Sequence, residues 1–203
     1  MSFQAINKEN PLILASNSPR RKRLLQQIGL PFRSLPSQVD ENQAPGEPPV
    51  KAVLLAEKKA KAVYSQSKDS WILGADTMVV VGGRILGKPR DHEDIHSMLS
   101  RLSDKEHEVI TGFCVLDPSG EVAHSEAITT LVKMKRLSKG EINAYVATGE
   151  PFGKAGSYAI QGVGAFMVES ISGPYTNVVG LPVCALVKSL LALGALKDFP
   201  PSP

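Results

Sequence analysis

Two hydrophobic rhythms alternate along this chain. Short continuous apolar runs predict buried strands, and apolar positions three and four apart predict helices. Leu12-Ile13-Leu14-Ala15 reads as a strand. A helix follows it, with Ser18 as N-cap, Pro19 in the first helical position, Leu24, Leu25 and Ile28 on its core face and Gly29 as its stop. Residues 32–35 fit a second strand, and 36–49 form a Pro/Gly-rich loop. Pro49 opens a helix to about Tyr64, and residues 71–75 make a short apolar strand. Residues 78–81 and 84–86 flank Gly82-Gly83, a two-residue hairpin signal. Ile95, Met98, Leu99 and Leu102 recur at helical spacing within 91–102.

The second half continues the alternation. Strand-like runs at 108–116 and 127–134 are joined by the turn Asp117-Pro118-Ser119-Gly120. Ser138-Lys139-Gly140-Glu141 is a capping box that opens a helix ending near Gly149. A Gly-rich segment runs over 149–164, a strand over 166–171 and an apolar helix over 182–193, stopped by Gly194. Helices alternating with strands and interrupted by hairpins predict an α/β chain with a mixed sheet rather than a regular doubly wound one. No repeat or sharp boundary divides the chain. A single domain over 1–203 is expected, with its core at about 12–194 and flexible ends at 1–10 and 198–203.

Composition narrows the function classes. The chain has 203 residues, 42% hydrophobic and 21% charged, which suits a globular domain with one substantial core. A net charge of +3 is too small for a generic nucleic-acid binder, and 5% aromatics argues against a stacking platform for single strands. No apolar run approaches a membrane span, and residues 1–30 lack a signal-peptide layout. Cys114 and Cys184 lie far apart in apolar contexts and read as reduced, buried cysteines of a cytoplasmic protein.

Charge becomes informative by position. Arg20, Arg21, Lys22 and Arg23 occupy the first turn and a half of the first helix, the end that already carries partial positive charge. An anion there relieves the conflict, held by free backbone N–H groups, the hydroxyls of Ser16 and Ser18 and the arginine forks. The alternative is a solvated basic helix end. Asp76 directly follows the strand 71–75, at the carboxyl edge where α/β ligand sites collect. It suits a base or a metal ligand, or equally a turn-capping aspartate. The hairpin register sets Val81 opposite Arg84 and, continued, Thr77 opposite Lys88, which brings Lys88 near Asp76. Lys59 has Leu55, Ala56, Ala62 and Val63 at three and four residues either way, so its ammonium either meets an anion or snorkels to water.

Three further features complete the reading. Asp40 and Glu41 in the Pro-rich loop are either a solvated acidic pair or, together with Asp76, a site for Mg²⁺. His92 and His96 stand four apart without a third ligand nearby, which argues against zinc. Gln161, in a segment of small residues, offers an amide that donates and accepts at once, as a base edge requires; the alternative is a turn-rich connection before a strand.

Seven blocks together resemble the Maf family of nucleotide pyrophosphatases. They are Ser16-Asn17-Ser18-Pro19-Arg20-Arg21, Asp40-Glu41, Ala56-Glu57-Lys58-Lys59-Ala60, Gly74-Ala75-Asp76-Thr77, Gly87-Lys88-Pro89, the run from Lys154 to Gly162, and Asn177-Val178-Val179-Gly180-Leu181-Pro182. They stand in family order over about residues 12–192. Asn17 stands where many members have Ala.

The resemblance implies hydrolysis of a nucleoside triphosphate between its α and β phosphates, with Mg²⁺ or Mn²⁺ as cofactor. It maps the proton acceptor to Asp76, the other essential charges to Arg21, Glu41, Lys59 and Lys88, and base choice to Arg20, Thr77 and Gln161. Metal would fall to Glu41 and Asp76. Those base-choice positions resemble the branch acting on dTTP and UTP. The implied fold is a long mixed, twisted sheet flanked by helices, with two lobes around a nucleotide cleft. The family is often homodimeric and cytoplasmic, and it carries a link to arrested cell division and septum formation. Neither a nucleic-acid polymer nor a membrane is expected as partner. The rival readings are a related pyrophosphatase for CTP or 7-methyl-GTP, and a nucleotide-binding regulator of septum formation.

Overall fold

The computed structural model describes residues 3–40 and 44–200. Its strands are β1 (Leu12–Leu14), β2 (Phe32–Ser34), β3 (Ile72–Val81), β4 (Arg84–Leu86), β5 (Glu106–Leu116), β6 (Val122–Met134) and β7 (Val168–Ser172). Its helices are α1 (Pro19–Gln27), α2 (Pro48–Tyr64), α3 (His92–Leu102), α4 (Lys139–Ala147), α5 (Tyr175–Val179) and α6 (Val183–Ala192). The strands form one seven-stranded sheet in the order β2-β1-β3-β5-β6-β7, with β4 attached to β3. β1 runs parallel to β2 and β3, whereas β3–β4 and β6–β7 are antiparallel. The mixed α/β architecture expected from the sequence is therefore present.

The chain divides into two compact units. One comprises the residues up to Asp76, Thr111–Ile128 and the residues from Gly180 onward; the other comprises Thr77–Ile110 and Thr129–Val179. The first unit packs Ala56, Ala60 and Val63 of α2 against Ile13, Ile72, Cys114 and Leu116 of the strands. Burial pushes the Cys114 thiol up to about 12, so it behaves as an inert apolar side chain. The second unit is built around Ile95, Leu99 and Leu102 of α3, Val132 and Met134 of β6, and Ile142 and Tyr145 of α4. Ser138 and Glu141 form the capping box at the start of α4.

Where the outcome departs from the sequence reading, neighbours decide it. Residues 71–75 and 78–81 are not separate strands: β3 is continuous through Asp76 and Thr77. Residues 163–167 form a 3₁₀ turn, so β7 begins at Val168 rather than 166. The five-residue α5 was not anticipated, being too short to show a periodic pattern. Cys184 is exposed, not buried. The buried stripe of α6 is Leu186, Ser189 and Leu190, and a residue two before Leu186 lies off that face. No helix among the described residues is long and apolar enough to cross a membrane.

His107, without assigned significance in the sequence, is 2% exposed in the second unit, and its Nε2 lies 2.8 Å from the Tyr158 hydroxyl. Burial pulls its pKa from 6.5 down to about 4. The unfolded chain therefore binds the extra proton first as pH falls. Full stability is present above about pH 6.5, and about 3 kcal/mol is lost by about pH 4. Thermal midpoints measured across that window should fall for the wild type. The slope should flatten in His107→Gln, measured relative to the variant's own midpoint at pH 7.

Candidate active site

β1 and β3 are parallel, with Leu14 opposite Leu73, so both chains leave their shared ladder at the same end. Counting onward from that register sets Ser16 level with Ala75 and Asn17 level with Asp76. Asp76 is the fifth of ten residues in β3, not the residue after a strand end. The β-branched run beyond it keeps the strand going, and Val79–Val81 pair with β4. The carboxyl edge expected from the sequence is nevertheless real on the β1 side, because the pairing with β1 stops at Leu73.

The first motif is assembled around Arg21. Arg21, Leu24 and Leu25 are the buried residues of α1, at the i, i+3, i+4 spacing of one face. Arg21 is 9% exposed. Its Nε donates to the Gly180 carbonyl at 2.8 Å, and its Nη1 donates to Ser16 Oγ at 3.1 Å. Ser16 Oγ also accepts from the Ser18 amide at 3.2 Å, and Ser18 Oγ caps α1 by accepting from the Arg21 amide at 3.5 Å. Behind them the Ser34 hydroxyl donates to the Ser16 carbonyl at 2.7 Å, and that of Ser37 to the Ala15 carbonyl at 3.2 Å. Two serines thus hold the strand end from outside the motif.

The four cations of this motif divide. Arg21 is buried and Arg23 exposed, while Lys22 donates to Asn17 Oδ1 at 3.2 Å. Arg20 is partly buried, and desolvation pulls its pKa below the ordinary value. Among the described residues, no carboxylate forms an ion pair with Arg20 that would offset this. A partly desolvated guanidinium at a capped helix N-terminus is a site for an anion.

Lys59 and Asp76 form the other part of the unit. Lys59 Nζ donates to Asp76 Oδ1 at 2.5 Å, and both residues are 7% exposed. Of the two outcomes that the apolar surroundings of Lys59 left open, an anion is met, and Asp76 is one. The approach depends on two glycines with no steric room. A Cβ on Gly74 would lie 2.0 Å from the Ala56 carbonyl oxygen, and one on Gly112 would lie 2.3 Å from the Ala52 carbonyl carbon. α2 therefore rests backbone to backbone on β3 and β5, three residues from Lys59 and two from Asp76.

Three expected residues lie in the second unit. Thr77 is partly buried in β3. Lys88 is exposed, two residues past the last paired residue of β4. The ladder ends at Val79 opposite Leu86, short of the expected Thr77–Lys88 pair. One reason is visible: the Gly87 carbonyl accepts instead from the Gly156 amide at 3.1 Å, and Pro89 has no N–H to extend pairing. Gly156 has φ 68°, and a Cβ there would meet Val79 at 2.9 Å. Gln161 is exposed. Glu41 lies outside the described residues, and its neighbour Asp40 is exposed.

Sequence reasoning quoted Gly180 in a family-like block but did not find its contact with Arg21, 159 residues away, nor Ser34 and Ser37. Only the buried stripe shared by Arg21, Leu24 and Leu25 signals that this arginine needs internal acceptors. Among the described residues, no group of three His, Cys, Asp or Glu is placed to hold a metal ion. Among the described residues, Asp76 offers a buried carboxylate, which is compatible with Mg²⁺ or Mn²⁺, since such ions take one or two carboxylates plus substrate phosphates.

These features define an α/β protein with buried cations and a buried carboxylate near the carboxyl edge of its parallel strands. The chain belongs to the Maf family: the model described as Maf-like protein matches residues 11–193. It is 50% identical over 190 residues to a dTTP/UTP pyrophosphatase of Citrifermentans bemidjiense, covering 93% of this chain and 98% of that protein. It is 52% identical over 174 residues to a dTTP/UTP pyrophosphatase of Ruminiclostridium cellulolyticum, covering 85% and 90%. A solved nucleoside-triphosphatase / dITP/XTP pyrophosphatase from Mycobacterium abscessus aligns at a TM-score of 0.43 and 16% identity, covering 91% of this chain and 96% of that one. That match is too loose to bear on the site.

Removing one member of a buried ion pair strands the other. Lys59→Met should lower the unfolding free energy by about 3 kcal/mol, whereas Asp76→Asn, which keeps an acceptor for the ammonium, should cost about 1 kcal/mol. Urea unfolding of the two variants beside the wild type measures the difference. Equal losses would mean that the pair carries no stability of its own.

Proposed function

We propose that this chain is a nucleoside triphosphate pyrophosphatase that hydrolyses dTTP and UTP to the nucleoside monophosphate and pyrophosphate. The observation that carries the reading is a conjunction. Relatives of about 50% identity over nearly the whole chain bear the name dTTP/UTP pyrophosphatase, and this chain holds Asp76 in a buried contact with Lys59. A cytoplasmic homodimer with a link to septum formation belongs to the same reading, on the strength of the family resemblance.

The chemistry follows from the residues. Asp76 orients the attacking water and takes its proton. The oxygen of that water bonds to the α phosphorus. The bond from this phosphorus to the bridging oxygen breaks, and the electron pair leaves on pyrophosphate. Lys59 fixes the carboxylate through Oδ1, so the base keeps one orientation. Arg21, Lys88 and the N-terminus of α1 neutralise the triphosphate and the charge that develops on the leaving group. A divalent cation, held by Glu41 and Asp76, would supply further screening of the phosphate oxygens. Gln161 reads the pyrimidine edge, with Arg20 and Thr77 shaping the base pocket and Ser16 and Ser18 lining the phosphate end.

Release of pyrophosphate and of orthophosphate from a panel of nucleoside triphosphates with Mg²⁺ tests the reading. Pyrophosphate should come from dTTP and UTP. In Asp76→Asn, turnover should fall by about 10³-fold or more while nucleotide affinity persists. Near-wild-type turnover in that variant would remove Asp76 as the base. Tight nucleotide binding without turnover by either protein would favour the regulator instead, since a binder needs the cations but no base.

Base choice is tested separately. Gln161→Ala should reduce the preference for dTTP over CTP by about tenfold while slowing turnover less. An unchanged preference profile would exclude Gln161 from specificity.

A further inference from the structure

The segment that carries Gln161 is held by two residues that no motif of the sequence singled out. Tyr145, 1% exposed on α4, accepts from the Ala159 amide at 3.2 Å and donates to Glu150 Oε1 at 2.7 Å. Glu150 Oε1 also accepts from the Gly164 amide, and Oε2 from the Val163 amide, both at 2.9 Å. The backbone is therefore fastened two residues before Gln161 and two and three residues after it. Glu150 is itself fixed. Its amide donates to Thr148 Oγ1 at 3.1 Å, that hydroxyl donates to the Tyr145 carbonyl at 2.6 Å, and Lys154 Nζ donates to the Glu150 carbonyl.

Titration and sterics agree with this geometry. Burial acts to raise the Glu150 carboxyl, but the amides of Gly164 and Val163 and the Tyr145 hydroxyl outweigh it and hold it below its ordinary value. Burial, and then the neighbouring Glu150, push the Tyr145 phenol upward, so it stays a donor. Gly162 has φ −115°, which any residue adopts, yet a Cβ there would lie 2.0 Å from Glu150 Oε2. A Cβ on Gly164 would lie 2.7 Å from the Tyr145 hydroxyl. Both glycines make room for the clamp. Gln161 is exposed, and among the described residues its amide takes no hydrogen-bond partner.

We propose that Glu150, through Tyr145, is a positioning residue for base selection: the carboxylate–phenol clamp presets the backbone at Gln161 so that its amide meets the pyrimidine edge already oriented. This rests on the pyrophosphatase reading above. Glu150 touches no substrate. Its contribution is the ordering cost that the loop would otherwise meet on binding.

The test uses Glu150→Gln and the volume-conserving Tyr145→Phe in the full chain, with kcat and KM for dTTP, UTP and CTP and amide hydrogen exchange without nucleotide. In Glu150→Gln, KM for dTTP should rise about tenfold with kcat within about twofold, and dTTP-over-CTP selectivity should fall about tenfold. Exchange should quicken at Val163 and Gly164 in that variant and at Ala159 in Tyr145→Phe. Because Glu150 acts through Gln161, the double variant Glu150→Gln/Gln161→Ala should be no less selective than Gln161→Ala alone. Multiplying losses in the double variant would overturn the proposal. So would a kcat loss equal for all three nucleotides with selectivity intact, which is what mere destabilisation would give. Wild-type protein that turns over no pyrimidine triphosphate would sink the functional reading itself. Intact turnover with unaltered selectivity in Glu150→Gln would sink the clamp alone.

Discussion

The contact between the backbone of α2 and the strands beneath it is the constraint on which the site depends. Helix and sheet ordinarily keep side chains between them. Here Gly74 and Gly112 remove that spacer, and the Ala52 and Ala56 carbonyls sit where Cβ atoms would be. The resulting closeness lets a lysine of the helix reach an aspartate of the strand at 2.5 Å with both largely removed from water. An ammonium and a carboxylate so placed would each cost several kcal/mol if left alone, and together they are tolerable. A slightly wider layer spacing would take the ammonium of Lys59 away from the buried Asp76 carboxylate.

The arginine end solves a related problem by other means. The Ser16 hydroxyl and the Gly180 carbonyl accept from Nη1 and Nε of Arg21, which fixes the direction of the guanidinium. Arg20 beside it is partly desolvated, and no ion pair among the described residues offsets this. Positive charge is thus concentrated at a helix end that already repels it, which is a stability cost that an anionic ligand relieves.

Much of this was legible in the sequence. Ser18, Pro19 and Gly29 set the limits of α1, Gly82-Gly83 fixed the Val81–Arg84 register, and the apolar neighbours of Lys59 marked it as half-buried, with an anion or water as its partner. The parts that were not legible rest on long-range partners. Nothing near Arg21 points to Gly180, and nothing near Gln161 points to Tyr145. The continuity of β3 through Asp76 was missed because a carboxylate between apolar runs looks like a strand end. Its neighbours in space, not its neighbours in the chain, keep it extended. Lys88 was placed by extending a ladder that ends one step after Val80, where Gly87 turns to Gly156.

The reach of Arg21 across 159 residues also has a meaning in time. A ribosome adds about 5–20 residues per second, so roughly 8–30 s separate the synthesis of Arg21 from that of its carbonyl partner. Until Gly180 has left the exit tunnel, the guanidinium of the earliest motif lacks the carbonyl that accepts from its Nε. The arrangement around Arg21 thus begins among the first parts of the chain to be made and gains its Gly180 contact among the last. A product truncated before Gly180 carries the motif without its cage.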